Sequence, residues 1–287
     1  MERRERARLN PVTLGIAGVA ITVLAALFSR DNSIGENSRP DFYTNNPLVT
    51  QPLPSPAESI QPSQSELAPA PPTVYWIFAH PDDETLAAAG AMKASQDQGN
   101  INVVVIISSG ENTLVRQRLR LTREQTRASR EKETRAALSI IGITDVRFMG
   151  IPDGAVTVEF TRQVIDNLAG ENEGGASFVG HSPKDSYAGL NCGHPDHCAV
   201  ATALTQAHSE GQIKGLKLYR IGQLMGGPQA GNCQQLTPDQ MAAKQAMRLE
   251  YTIVRTGEGR YGIAGQSIPG AWAATRSKPE CFDNPSP

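Results

Sequence analysis

The chain has 287 residues, enough for one large domain or two small ones, and 39% of them are hydrophobic and 5% aromatic. Its 27 basic and 29 acidic side chains leave a net charge of −2, which argues against a basic nucleic-acid binder and against a highly charged disordered chain. Four Cys are too few for a disulfide-built miniprotein, and a single long uncharged apolar stretch excludes a polytopic membrane protein.

Residues 1–10 form a basic segment with Arg3, Arg4, Arg6 and Arg8. Residues 11–28 (PVTLGIAGVAITVLAALF) carry no charge and sit at the short end of a transmembrane span. The basic flank predicts a cytoplasmic N-terminus and an extracytoplasmic remainder. A cleaved signal peptide is the rival reading. It needs small residues three and one before the cut, which Ala26-Leu27-Phe28-Ser29 does not supply. The expectation is therefore a single-pass cell-membrane anchor, with secretion after cleavage as the alternative. Residues 29–73 read as a disordered linker. Nine of the 20 prolines lie between Pro40 and Pro72, among Ser, Gln and Asn, and each fixes φ and removes a backbone donor.

Residues 74–287 read as one folded domain. Val74–Ala79 (VYWIFA) predicts a buried strand, Glu84–Gln98 an alanine-rich helix and Ile101–Ile107 (INVVVII) a second buried strand. A long helix over Leu121–Ile141 is stopped by Gly142, and a third strand spans Asp145–Met149. Then come a helix over Phe160–Leu168, a strand near Ser177–Val179, a helix over Asp196–Ser209, a strand over Leu216–Ile221 and a helix over Pro238–Val254. Apolar strands alternating with helices imply an α/β fold with a mainly parallel sheet covered on both faces. Sites in such folds form in loops at the carboxyl ends of strands. Neither G-x-G-x-x-G nor a Walker lysine motif is present, so the ordinary nucleotide-binding readings lose their support.

Two clusters stand in those loops. The first strand runs into Ala79-His80-Pro81-Asp82-Asp83-Glu84, where Pro81 stiffens the turn and biases His80 toward extended backbone. His80 and Asp83 are spaced to face one ion, with Asp82 between them free of that task. Helix capping explains one of these carboxylates but not the His, the Pro and two more acids. The second cluster, Gly193-His194-Pro195-Asp196-His197, also precedes an alanine-rich helix. Neutral imidazoles with a carboxylate suit Zn²⁺, and three protein ligands leave a place for water.

Together these motifs resemble the zinc-dependent N-deacetylases of the PIG-L/LmbE-like family. Arg130-Glu131-Lys132-Glu133 before Ala136-Ala137-Leu138, and Gly150-Ile151-Pro152-Asp153-Gly154 after the third strand, extend the likeness over roughly 74–254. The resemblance implies a Rossmann-like three-layer α/β/α domain binding one Zn²⁺, or a similar divalent ion, through His80, Asp83 and His197. It implies Asp82 as general base and His194 as the group that polarises the carbonyl or stabilises the oxyanion. Arg130, Asp153 and Glu111 fall at substrate-contacting positions. The implied reaction is removal of an acetyl group from an N-acetylated sugar or glycoconjugate by metal-activated water. Some family members have Tyr two residues before the first His of the second motif; here it is Cys192. A deacylase of a non-sugar amide and a catalytically silent glycan-binding domain are the competing readings.

Cys192 and Cys198 bracket the second motif, and export favours disulfides over thiols. Pairing Cys192–Cys198 and Cys233–Cys281 is the favoured of three connectivities. Between Arg116 and Arg135, seven Arg and Lys132 outnumber three Glu. A solvated helix face is the simplest account, attraction to an anionic glycan or lipid head group the functional one. His181 follows a possible strand and is placed either at the site mouth or, the favoured reading, on a surface loop; His208 needs no function, and Trp272 is either a sugar platform or core.

Overall fold

The computed structural model describes residues 70–172, 175–187, 190–221 and 232–285. The basic segment, the predicted anchor over 11–28 and nearly all of the linker lie outside these residues. Among the described residues no helix is long and apolar enough to cross a membrane.

The elements run β1 (Thr73–Phe78), α1 (Asp83–Asp97), β2 (Ile101–Ser108), α2 (Leu114–Leu119), α3 (Arg123–Ser139), β3 (Asp145–Ile151), α4 (Val158–Gly170) and β4 (Ser177–His181). A small hairpin, β5 (Ser186–Tyr187) and β6 (Leu190–Asn191), leads to α5 (Pro195–Ser209), β7 (Gly215–Arg220), β8 (Asn232–Gln234) and α6 (Pro238–Glu250). Short pieces close the chain: β9 (Val254–Arg255), β10 (Arg260–Tyr261), α7 (Ile263–Ser267), α8 (Pro269–Ala274) and β11 (Glu280–Asp283).

Seven strands form the main sheet in the order β3-β2-β1-β4-β7-β11-β8. From β3 to β7 neighbours are parallel, while β11 is antiparallel to both β7 and β8. The two-residue period of β1 divides the core. Val74, Trp76 and Phe78 face the layer of α1, α3 and α6, whereas Tyr75, Ile77 and Ala79 face α4 and α5. This is the expected three-layer α/β/α sandwich with a mostly parallel sheet. The chain turns back between β1 and β4, so their carboxyl ends diverge into a crevice, the usual ligand position in such sheets.

The predicted helix over Leu121–Ile141 begins two residues later, because Thr122 accepts from Gln125 N–H while the Gln125 side chain accepts from Thr122 N–H, a capping box. The preceding residues make a separate short helix, α2, capped by Thr113 and ended by Arg120 at φ 56°. The predicted helix over Pro238–Val254 ends at Glu250.

Cys233 and Cys281 are bonded, directly opposite each other on β8 and β11. The expected Cys192–Cys198 bridge is not formed. Cys192 sits in a left-handed turn at φ 57°, and its Sγ donates to Pro183 O at 3.6 Å. Burial, then the adjoining Cys198 thiol, pushes Cys192 up to about 12, so the pair is a thiol contact. Trp272 is core: it packs against Tyr251, and the Arg248 guanidinium lies 4.7 Å over its ring.

Candidate metal centre and catalytic site

The turn after β1 is held in an unusual conformation. Asp82 has φ 132°, a region L-residues rarely adopt. Its N–H donates to Glu84 Oε2 at 3.0 Å, and its carbonyl accepts from Thr85 and Leu86. Glu84, fully buried, is gripped in turn by Thr85 and by the Tyr251 hydroxyl. The result is that consecutive acids diverge: Asp83 turns to the histidines and Asp82 to Arg130.

Asp83 Oδ2 accepts the His80 backbone N–H at 2.8 Å and lies 3.1 Å from His197 Nε2 and 3.4 Å from His80 Nδ1. His80 Nδ1 and His197 Nε2 are 3.1 Å apart. These three residues present converging ligand atoms, all within 4.8 Å of one another. His80, His194 and Asp196 form a second such group sharing His80. Burial would raise Asp83, but His197 and His181 hold its carboxyl well below the usual carboxylate range. Burial opposes protonation of His80, yet Asp153, Asp196 and Asp83 raise it well above an ordinary imidazole.

Asp82 Oδ2 accepts from Arg130 Nη2 at 2.8 Å, and the same guanidinium reaches Gly110 O at 2.7 Å and Pro81 O at 2.5 Å. Gly110, at φ 58°, permits this approach: a Cβ there would stand 2.7 Å from Arg130 Nη1. Burial pushes Asp82 up to about 8, opposed by Arg130 and helped by Asp83 and Glu84. His194 caps α5, its Nδ1 accepting from Asp196 N–H at 3.2 Å. In the neutral ring the proton is thereby assigned to Nε2. Burial, then the neighbouring His80 and His197, lower its basicity.

The structure thus brings His80, Asp82, Asp83, His194, His197, Arg130 and Asp153 to one cavity of about 680 Å³. Arg130 lines the cavity while holding Asp82 and two carbonyls. Asp153 lies 3.3 Å from His80 Nε2. Glu111 does not line the cavity; it braces Asp153, accepting its N–H at 3.2 Å, and meets Arg123 at 3.4 Å.

Sequence reasoning missed two supports. Asp196 Oδ2 lies 3.1 Å from His80 Nε2 and accepts Gly154 N–H at 2.9 Å, tying the two motifs together. His181, for which the sequence favours a surface loop over the site mouth, is completely buried at the site and stacks on His197 with centroids 4.0 Å apart and rings 13° from parallel. Ala79 N–H donates to its Nε2 at 3.0 Å, and Asp83 Oδ2 is 3.3 Å away. The signal for the site-mouth reading, its place at the end of a strand, is the one that holds. Burial, then His197, lower His181 to about 4.

Residues 75–208 match the family model described as "PIG-L: GlcNAc-PI de-N-acetylase". A "Probable N-acetyl-alpha-D-glucosaminyl L-malate deacetylase 2" of Bacillus anthracis is 32% identical over 138 residues, 47% of this chain and 58% of that protein. A Bacillus cereus protein of the same description is 31% identical over 137 residues, 47% of this chain and 60% of its own length. The chain thus spans less than two thirds of these curated relatives. Among solved structures, N,N'-diacetylchitobiose deacetylase from Pyrococcus horikoshii superposes with a TM-score of 0.55 at 16% identity, covering 74% of this chain and 82% of that one. A zinc-inhibited form of teicoplanin deacetylase does so with a TM-score of 0.50 at 17% identity, covering 62% and 83%. At these identities the two structures establish likeness of fold.

Proposed function

From the premise that the chain belongs to the PIG-L family through residues 75–208, we propose that it is a divalent-metal hydrolase that deacetylates an N-acetylated sugar or glycoconjugate. The observation that carries this reading is the convergence of His80, Asp83 and His197 beside a separately held Asp82 in one cavity. Two imidazoles and a carboxylate fit Zn²⁺ in kind and number, with room for a further ligand. When bound, the ion supplies Lewis acidity that polarises an amide carbonyl and acidifies water.

The chain's own residues supply the rest. Arg130 holds Asp82 by Oδ2, leaving Oδ1 to take the proton of the attacking water. His194, with Nδ1 occupied by a backbone N–H, presents Nε2–H to the oxygen on which negative charge develops. Asp153 and Asp196 fix the His80 ring from its outer side, the usual support for a ligating histidine. A proton returned from Asp82 or His194 lets the amine leave.

Acetate release from N-acetylglucosamine and its conjugates, with and without a chelator, tests this. Zinc-restorable release supports the reading, and release unaffected by complete metal removal overturns it. We also propose that residues 11–28 anchor the chain in the cell membrane with the domain outside. External protease on intact cells then cuts within 29–73 and removes the domain; a domain protected until cells are lysed contradicts this.

A further inference from the structure

One acid of the first motif has no part in holding the metal or moving the proton. Glu84 is fully buried and does not line the cavity. Its two oxygens divide their work. Oε2 accepts the Asp82 N–H at 3.0 Å, while Oε1 accepts the Thr85 hydroxyl at 2.7 Å and the Tyr251 hydroxyl. A carboxylate is planar, so donors that fix Oε1 also aim Oε2.

Tyr251 stands directly after α6 and is completely buried. Its ring packs on Trp272 with centroids 5.5 Å apart, and its carbonyl accepts the Gly265 N–H at 3.2 Å. Ring and backbone are therefore held without the hydroxyl, which is spent on Glu84. The Thr134 side chain meets the same phenol from α3. Thr134 lies one helical turn after Arg130 and donates to Arg130 O at 3.0 Å. Arg130 in turn holds the Asp82 carboxylate at 2.8 Å. A closed circuit results: from the Asp82 side chain through Arg130, Thr134, Tyr251 and Glu84, back to the Asp82 N–H. It grips one residue by its carboxylate and by its backbone. Asp82 requires both grips, because a φ of 132° persists only where the surroundings over-determine it. Tyr251 lies beyond the stretch that matches the family, 75–208, so the C-terminal part of the chain completes the circuit.

We infer that Tyr251 is a positioning residue for the proton acceptor: through Glu84 it holds the Asp82 backbone in the conformation that turns the Asp82 carboxylate to Arg130 and the cavity while Asp83 turns to the histidines. The inference rests on the deacetylase reading for the work that Asp82 does, but the conformation that Tyr251 sets is observable without turnover.

The test uses the full chain loaded with zinc. Tyr251→Phe removes the hydroxyl and keeps the ring on Trp272. Crystal structures of wild type and variant read the turn: Asp82 should leave its φ near 132° and lose its N–H bond to Glu84. Kinetics read the consequence. A shift of about 1 Å in a reacting group costs up to about 100-fold, so kcat should fall about 10–100-fold while KM stays within about threefold and zinc content is unchanged. Glu84→Gln has the same shape but a single accepting oxygen, and should reproduce the same split. Lys244→Met is the control for loosened packing. Lys244 also joins α6 to α1, donating to Leu86 O at 3.2 Å, but stands outside the circuit; this variant should keep kcat. An Asp82 turn unchanged in Tyr251→Phe overturns the inference, as does a kcat within about twofold of wild type or a loss of kcat matched by Lys244→Met. A wild-type chain that releases no acetate from N-acetyl sugars defeats the deacetylase reading instead, and the structure of Tyr251→Phe then decides by itself whether Tyr251 sets the turn.

Discussion

The carboxyl ends of β1 and β4 and the antiparallel edge β7–β11–β8 belong to one sheet but handle charge in opposite ways. At the first, Asp82, Asp83, Glu84 and His80 are buried within a few residues of one another, and Asp82 holds a strained φ of 132°. At the second, buried charge is matched. Glu280 accepts the Gly90 and Ala91 N–H groups and meets Lys244 Nζ at 2.9 Å, while Arg220 and Asp283 pair at 2.7 Å. A disulfide closes this edge. The lesson is a division of labour: strain and like charge concentrate where chemistry needs them, and paired charge with covalent closure offsets that instability elsewhere.

The comparison is broken most directly by substitutions whose effects should fall on different observables. Asp82→Asn should lower kcat by about 10²–10⁴ as a lost proton acceptor, with KM changing less. Steady-state kinetics on the variant decide this, and near-normal kcat would remove Asp82 from the mechanism. Lys244→Met should act on stability instead. It leaves Glu280 buried at 1% exposure without its cation, a loss on the order of 3–5 kcal/mol. Denaturant unfolding measures the loss, and kcat of the folded variant should stay near wild type. A large kcat defect at unchanged stability would erase the division.

Cys233→Ser sharpens the same contrast at a smaller scale. Opening a closure across 48 residues should cost about 2–4 kcal/mol of stability without altering metal content, as thermal melts and metal analysis would report. His181→Ala tests the boundary between the two regions, because a buried residue with no proposed part in proton transfer is there pressed against His197, a proposed metal ligand. Loss of its stack on His197 and of its hold on Ala79 should weaken metal affinity by about 10–100-fold, with His181→Asn restoring part of it through a retained acceptor. Competition against a chelating dye measures both, and unchanged affinity would make His181 a packing residue only.

What the sequence disclosed follows the same divide. The His80–Glu84 turn and the Gly193–His197 turn were legible because each packs its chemistry into five consecutive residues at a strand end or helix start. Long buried strands such as Ile101–Ser108 announced themselves by composition. His181 did not. It is a lone histidine whose role depends on β4 lying beside β1, where Gly180 allows the close approach: a Cβ there would fall 2.6 Å from Ile77 O. Asp196 read as part of a motif without revealing that it braces His80 from the opposite cluster. The last two strands of the sheet, β11 and the edge strand β8, have four and three residues, too few for a period, and their pairing is fixed by contacts distant in sequence. The short helix α2, ended by a left-handed Arg120, was equally hidden. The Cys192–Cys198 pair lies in contact as the sequence suggested, but as two thiols rather than a bridge, and Cys192 Sγ also donates to Pro183 O.

Metal stoichiometry of Asp82→Asn and Asp83→Asn, purified side by side with wild type and read by elemental analysis, tests the central claim most directly. Asp83 Oδ2 faces His80 and His197, and Asp82 Oδ2 faces Arg130. Asp82→Asn should therefore keep one divalent ion per chain while losing acetate release, and Asp83→Asn should lose most of the ion together with activity. If Asp82→Asn strips the metal and Asp83→Asn retains it, the assignment of ligand and base to these adjacent carboxylates is contradicted.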